Sequence, residues 1–225
     1  MLGLAVATVL AAWPAGAASA ATPSVASVVS RAQHDMLAAG CVHIVVRVRG
    51  TRPGTIVADI GRATGRETYR YGTAVVHVLV TPTAAYVRGN AAGLRGLVGL
   101  TRPQVRLVGG RFIEMRAGTS QYSGFADSLT VAALAGLLPH GRGITLHLAG
   151  AHRVVLSWTS TSSAGTSSAA LTLLVGARVL PEVETVRGAA GGGSTRFSHW
   201  GRVVRVGPPA PGRTIAYGVV AGRVP

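Results

Sequence analysis

Ala38-Ala39-Gly40-Cys41-Val42-His43-Ile44-Val45-Val46-Arg47-Val48 is where the chain changes its period. Upstream, Val25, Val28, Val29, Ala32, Met36 and Ala39 recur at three- and four-residue steps behind a capping Ser24, so the spacing predicts an amphipathic helix over 24–39 that Gly40 stops. Downstream, Val42, Ile44, Val46 and Val48 alternate with Cys41, His43, Val45 and Arg47, the pattern of a half-buried strand.

The two-residue period continues. After a Thr51-Arg52-Pro53-Gly54 turn, strands are expected at 55–62, 68–70, 73–80 and 84–88, and again at 111–116. Helical spacing returns at 90–100, weakened by Gly93, Gly96 and Gly99, and at 120–126 and 130–138, the last ended by Pro139 and Gly141. The second half reads as strands at 144–149, 153–159, 169–175, 182–187 and 195–200. The Ser/Thr/Gly tract 160–168 and the Gly-rich run 188–194 read as turns. Short links favour antiparallel neighbours, because parallel crossovers need a dozen or more residues. The fold class expected is mainly β with helices, an α+β chain built on an antiparallel sheet.

A chain of 225 residues is long enough for one substantial core. Hydrophobic residues at 48% against 13% charged exclude general disorder, and 5% aromatics make that core aliphatic. The apolar stretch Leu2 to Ala12 and the small residues Ala18-Ser19-Ala20 read as an export signal, although no Arg or Lys precedes the stretch. The expected organisation is a signal peptide at 1–20, one domain at 21–207 and a Pro-rich C-terminal tail at 208–225. The net charge of +15 is carried by arginine alone, without a lysine. Two readings stand side by side: attraction to anionic surfaces, or the drift of a composition also rich in Ala, Gly and Val. Cys41, the single cysteine, excludes an intramolecular disulfide and reads as a small buried residue at a strand start.

No arrangement argues for catalysis. There is no Gly-x-Ser-x-Gly elbow, and Ser123, Ser157 and Ser198 show no spacing to a base and its orienter. Glu182 and Glu184, two apart on one strand, are expected side by side in solvent. His140, His147 and His152 fall close in sequence, but two hairpin histidines without a carboxylate or thiolate make a poor metal site. The run 188–194 lacks the Lys and the following helix of a phosphate loop. The arginines form no recognition helix and the aromatics no stacking platform, so no nucleic acid is expected. An apolar ligand inside the sheet is permitted by the aliphatic strand faces and weak helices, which ordinary core packing would equally use.

Several phrases, taken in order, resemble the LppX/LprG-type lipoproteins of actinobacteria, relatives in fold of the LolA/LolB lipoprotein carriers. They are the helix ending at Ala39-Gly40 before Cys41-Val42-His43-Ile44; Ala85-Tyr86-Val87-Arg88-Gly89-Asn90; Arg111-Phe112-Ile113-Glu114-Met115; the strand Leu171 to Val175 leading to Val179-Leu180-Pro181; and Thr195-Arg196-Phe197-Ser198-His199-Trp200-Gly201. Together they span about residues 24 to 207. The resemblance implies a curved antiparallel sheet forming an unclosed half-barrel whose helix-covered concave face holds acyl chains. It also implies a role in moving or presenting lipids or lipoproteins in the cell envelope. No lipobox cysteine follows the signal, so a periplasmic or secreted form without that anchor is expected. The resulting expectation is an exported, non-catalytic lipid carrier with no cofactor. Leu94, Leu97, Leu134, Leu137 and Leu138 on the covering helices would line the cavity, and surface arginines would meet anionic membranes. The alternative is an envelope interaction or sensor module with a solid core.

Overall fold

The computed structural model describes residues 23–162, 165–189 and 191–222; the expected signal peptide lies outside the described residues. Helix α1, Val25–Ala39, forms where the apolar stripe predicts it. The Ser24 hydroxyl accepts from the Ser27 N–H at 3.1 Å. Gly40, at φ 72°, donates its N–H to the Met36 carbonyl, a left-handed stop that suits glycine.

A meander follows: β1 Val42–Gly50, β2 Gly54–Ile60, β3 Gly65–Tyr71, β4 Ala74–Val80, β5 Ala84–Gly89 and β6 Phe112–Arg116, with helices α2 Ala91–Gly96 and α3 Arg102–Val108 between β5 and β6. Helices α4 Ser120–Ala126 and α5 Val131–Gly136 lead into a second meander, β7 Thr145–Leu148, β8 Arg153–Ser162, β9 Gly165–Val175, β10 Val179–Gly188 and β11 Gly191–Ser198. The twelve described strands make one curved, unclosed sheet in the order β12-β6-β5-β4-β3-β2-β1-β11-β10-β9-β8-β7, where β12 is Thr214–Ala216. The two meanders are therefore wings that meet where β1 pairs antiparallel with β11, His43 opposite Ser198 and Gly50 opposite Gly191.

Helices cover the concave face. Val28, Val29, Ala32 and Met36 of α1 join Val42, Ile44, Ala58, Ile60, Leu171 and Leu173 in one aliphatic core. Directional bonds fix the cover. Gln33 Nε2 donates to the Ala135 carbonyl at 3.2 Å, tying α1 to α5. The Val131 N–H donates to the Gly61 carbonyl at 3.1 Å, tying α5 to the sheet. The Tyr122 hydroxyl donates to the Thr81 carbonyl at 3.0 Å, holding α4 over β4 and β5.

Several stretches depart from the sequence expectations. Residues 160–168 are largely strand: β8 and β9 run to Ser162 and from Gly165, with Ser160 opposite Ser167 and Thr161 opposite Thr166. Hydroxylic and β-branched residues serve a solvent-facing hairpin as well as they serve a turn. Gly191, Gly192 and Gly193 are also strand, paired with β1 and β10 so closely that a Cβ there would run into the carbonyl oxygens of Arg49, Val186 and Arg47. Helix α3, unmarked by apolar periodicity, carries a capping box in which Thr101 and Gln104 bond reciprocally, with Pro103 in the first turn. Residues 214–220, read from the sequence as tail, join the domain. Ile215 on β12 pairs parallel with Ile113 of β6, and helix α6, Tyr217–Val220, buries Val220. Cys41 is half-buried rather than buried.

Candidate functional site: two apolar hollows beneath the helices

Two hollows lie between the sheet and its cover. The first, about 530 Å³, has a floor of Tyr69, Val76, Val78, Val87, Ile113 and Met115 from β3 to β6. It is roofed by Leu97, Val98 and Leu100 after α2, by Gln121 and Phe125 of α4, and by Tyr217 of α6. The second, about 420 Å³, has a floor that includes Ile44, Val46, Ile56, Ala58, Ile60, Leu171 and Phe197, with Met36 of α1 and Leu129, Leu134, Leu137 and Leu138 around α5 above it.

Strand registers explain the floors. Ala58 sits opposite both Ile44 and Glu67, and Ile56 opposite both Val46 and Tyr69, so two rows of inward side chains cross the sheet side by side. The rows continue through Phe197 opposite Ile44 and Thr195 opposite Val46, and Thr195 in turn faces Glu184. β3 divides the space: Tyr69 lines the first hollow and Glu67 the second. The Tyr69 hydroxyl donates to Glu67 Oε2 at 2.6 Å, a polar link across the divide.

The carboxylates are the unexpected part of the lining. Burial pushes the Glu67 carboxyl above the usual glutamate range, and the hydrogen bond from Tyr69 only partly offsets it. Burial likewise raises Glu184, against a hydrogen bond from Thr195. Burial together with Glu67 pushes the Tyr69 hydroxyl well above its ordinary value. Neither lining contains Arg, Lys, His or Cys, so these carboxyls face apolar space without a cation.

The expectation that Glu182 and Glu184 stand together in solvent is overturned by a bulge. Pro181 pairs with Leu173 and Val183 with Thr172, leaving Glu182 as an extra residue. The insertion resets alternation, so Glu184 turns inward while Glu182 meets Arg153 on the outside, Nε to Oε2 at 2.9 Å and Nη2 to Oε1 at 3.1 Å. The hydrogen bond from Arg153 holds the Glu182 carboxyl below its usual range.

Of the five leucines expected around one cavity, four divide between two hollows and Leu94 lines neither. Leu97, 44% exposed, stands at the rim of the first hollow, and Leu94 of α2 is buried in the core. Leu134 and Leu138 line the second, with Leu137, 79% exposed, at its mouth. Glu67, Glu184, Tyr69 and Tyr217 were absent from the expectation. Period-two spacing of Glu67, Tyr69 and Tyr71 carried a signal for the first and third, whereas Glu184 depended on the bulge and Tyr217 on a tail with no visible period. His147 faces Val155 across its hairpin, not His152.

No family model matches the chain, and no curated protein does. Among solved structures it is similar to LprF from Mycobacterium bovis, at 15% identity and a TM-score of 0.46, over 81% of this chain and 95% of that one. It is also similar to the Mycobacterium tuberculosis lipoprotein LppX, at 15% identity and a TM-score of 0.39, over 82% of this chain and 100% of that one. Both are of the LppX/LprG type that the sequence phrases resemble.

Proposed function

We propose that the protein is an exported, non-catalytic carrier that holds the acyl chains of a lipid or lipidated molecule between the curved sheet and its helices. The observation that carries this reading is the pair of hollows. Both fall within the roughly 300–1,000 Å³ of ordinary ligand sites, and both are lined mostly by aliphatic and aromatic side chains. An apolar chain entering such a space gains about 0.8 kcal/mol per buried methylene, without polar recognition. The exposed leucines Leu97 and Leu137 stand at the two entrances, where a mobile chain first meets apolar surface. No helix among the described residues is long and apolar enough to cross a membrane. The arginine surface would bring the carrier to anionic bilayers, at about 1 kcal/mol per basic residue near the headgroups.

Native mass spectrometry of protein purified from its own host tests the reading. Adducts of lipid mass are expected on the parent chain. Val98→Asp with Leu134→Asp, one change in each hollow, should deplete them and weaken uptake of a fluorescent fatty acid at least about tenfold, with the circular dichroism spectrum unchanged. Protein that is always empty and takes up no fatty acid would leave the solid-core interaction module as the better account.

A further inference from the structure

The outer face of the sheet carries a hollow of another kind. His43 of β1, Asp59 of β2 and Arg66 of β3 alternate with the inward residues Ile44, Ala58, Ile60 and Glu67, so all three point away from the helices. Their registers set them in one row, Arg66 opposite Asp59 and Asp59 opposite His43. Asp59 accepts from His43 Nδ1 at 2.7 Å on one oxygen, and from Arg66 Nε at 2.7 Å and Nη2 at 2.6 Å on the other. The only carboxylate lining this hollow is thus fully engaged, and it turns His43 so that Nε2 points away from it.

At the end of β11 the chain doubles back. His199 adopts φ 54°, uncommon for a residue other than glycine, and its ring comes to 5.7 Å from that of His43. The Gly201 N–H then bonds the Cys41 carbonyl at 2.9 Å, and the Thr64 hydroxyl bonds the Val204 carbonyl at 3.4 Å. These ties lay residues 202–205 against the row and bring Arg202 and Arg205 to the wall of a hollow of about 260 Å³. Among the described residues neither guanidinium has an ion-pair or hydrogen-bond partner. The lining holds three arginines against one engaged carboxylate, and the space is smaller than the roughly 300 Å³ at which ordinary ligand pockets begin. Such a site fits a compact anion with several acceptor oxygens better than a lipid body.

We infer that this hollow binds a phosphate group, gripped by Arg202 and Arg205 and met by the ring nitrogens of His43 and His199, with Asp59 and Arg66 as the pair that orients His43. The inference is independent of the carrier reading, because the acyl hollows lie on the opposite face of the sheet.

Histidine-ring NMR of the full chain, titrated with inorganic phosphate, tests it. The His43 and His199 signals should move together and saturate with a dissociation constant near or below about 1 mM. Arg202→Gln with Arg205→Gln should weaken binding at least about tenfold. Arg52→Gln with Arg95→Gln, which removes the same charge from a remote turn and from helix α2, should leave it unchanged; matched melting curves show that both variants fold. Glycerol phosphate competing as well as inorganic phosphate identifies a free phosphate compound as the source. Binding only to vesicles of phosphatidylcholine containing phosphatidic acid, lost in the Arg202/Arg205 variant, identifies a lipid headgroup. Failure to saturate by about 10 mM in every arm, or equal weakening by the remote pair, overturns the inference.

Discussion

Glu67 and Glu184 stand in apolar surroundings where ionisation is disfavoured, and that sets the sign of their effect on stability. Their folded-state carboxyls keep their protons to higher pH than in the unfolded chain, where glutamate titrates near 4.5. The destabilisation is therefore absent below that value and grows as pH rises through the window above it. Asp59 and Glu182 act in the opposite sense. Their lowered values give a stabilisation that is present at neutral pH and lost as acid passes below the ordinary 3.8 and 4.5. Lipid-free protein should accordingly melt at a higher temperature near about pH 5 than at neutral pH. Glu67→Gln with Glu184→Gln should flatten that slope and raise the neutral-pH midpoint by about 2–4 °C. Melting curves across the range check this, and a slope as steep in the double variant as in the parent would contradict it.

At the scale of elements, the junction of β4, β5 and α2 depends on Asn90. Its Oδ1 accepts from the Gly93 N–H at 2.8 Å and the Val75 N–H at 3.1 Å, and its Nδ2 donates to the Thr73 carbonyl at 2.7 Å. Asn90→Ala should lower stability by about 1–2 kcal/mol, read as a lower urea midpoint at constant slope. Gly192 is constrained differently: the Val186 carbonyl occupies the space a side chain would need. Gly192→Val should cost more than Asn90→Ala in the same denaturation, because β10 and β11 cannot separate locally without opening the sheet. These two residues also mark what sequence alone conveys. Ser24 and Gly40 are legible as the start and stop of α1, and the alternation of Val42 to Val48 announces β1 directly, whereas Asn90 reads only as part of the helical spacing 90–100 and its capping bonds come from the structure. Gly191 to Gly193 has no side chains to alternate, so only the neighbouring backbones reveal it as strand. The Glu184 orientation was hidden for a related reason, since a one-residue bulge is invisible to a two-residue period yet reverses everything after it.

For the whole molecule, the helices divide the concave side into two spaces instead of one, with the Tyr69–Glu67 link standing between them. A ligand with two apolar branches suits that division, one branch under α2 and α4 and the other under α1 and α5. The native mass spectrum then has a second use: Val98→Asp should remove ligands that need the first space and retain those held by the second alone. The outer face, with its arginines and paired histidines, is chemically separate from both.

The seam between the wings joins residues 43–50 to residues 191–198. Each meander can zip from its own tight hairpins, but this central pairing closes a loop containing most of the chain, at a large entropic cost relative to any hairpin. During synthesis β1 emerges early with one edge bare, and that edge stays unsatisfied until the last long strand arrives. The β1 edge that β11 covers therefore finds its partner only once residues 191–198 have been made, which leaves a bare strand edge on any shorter chain.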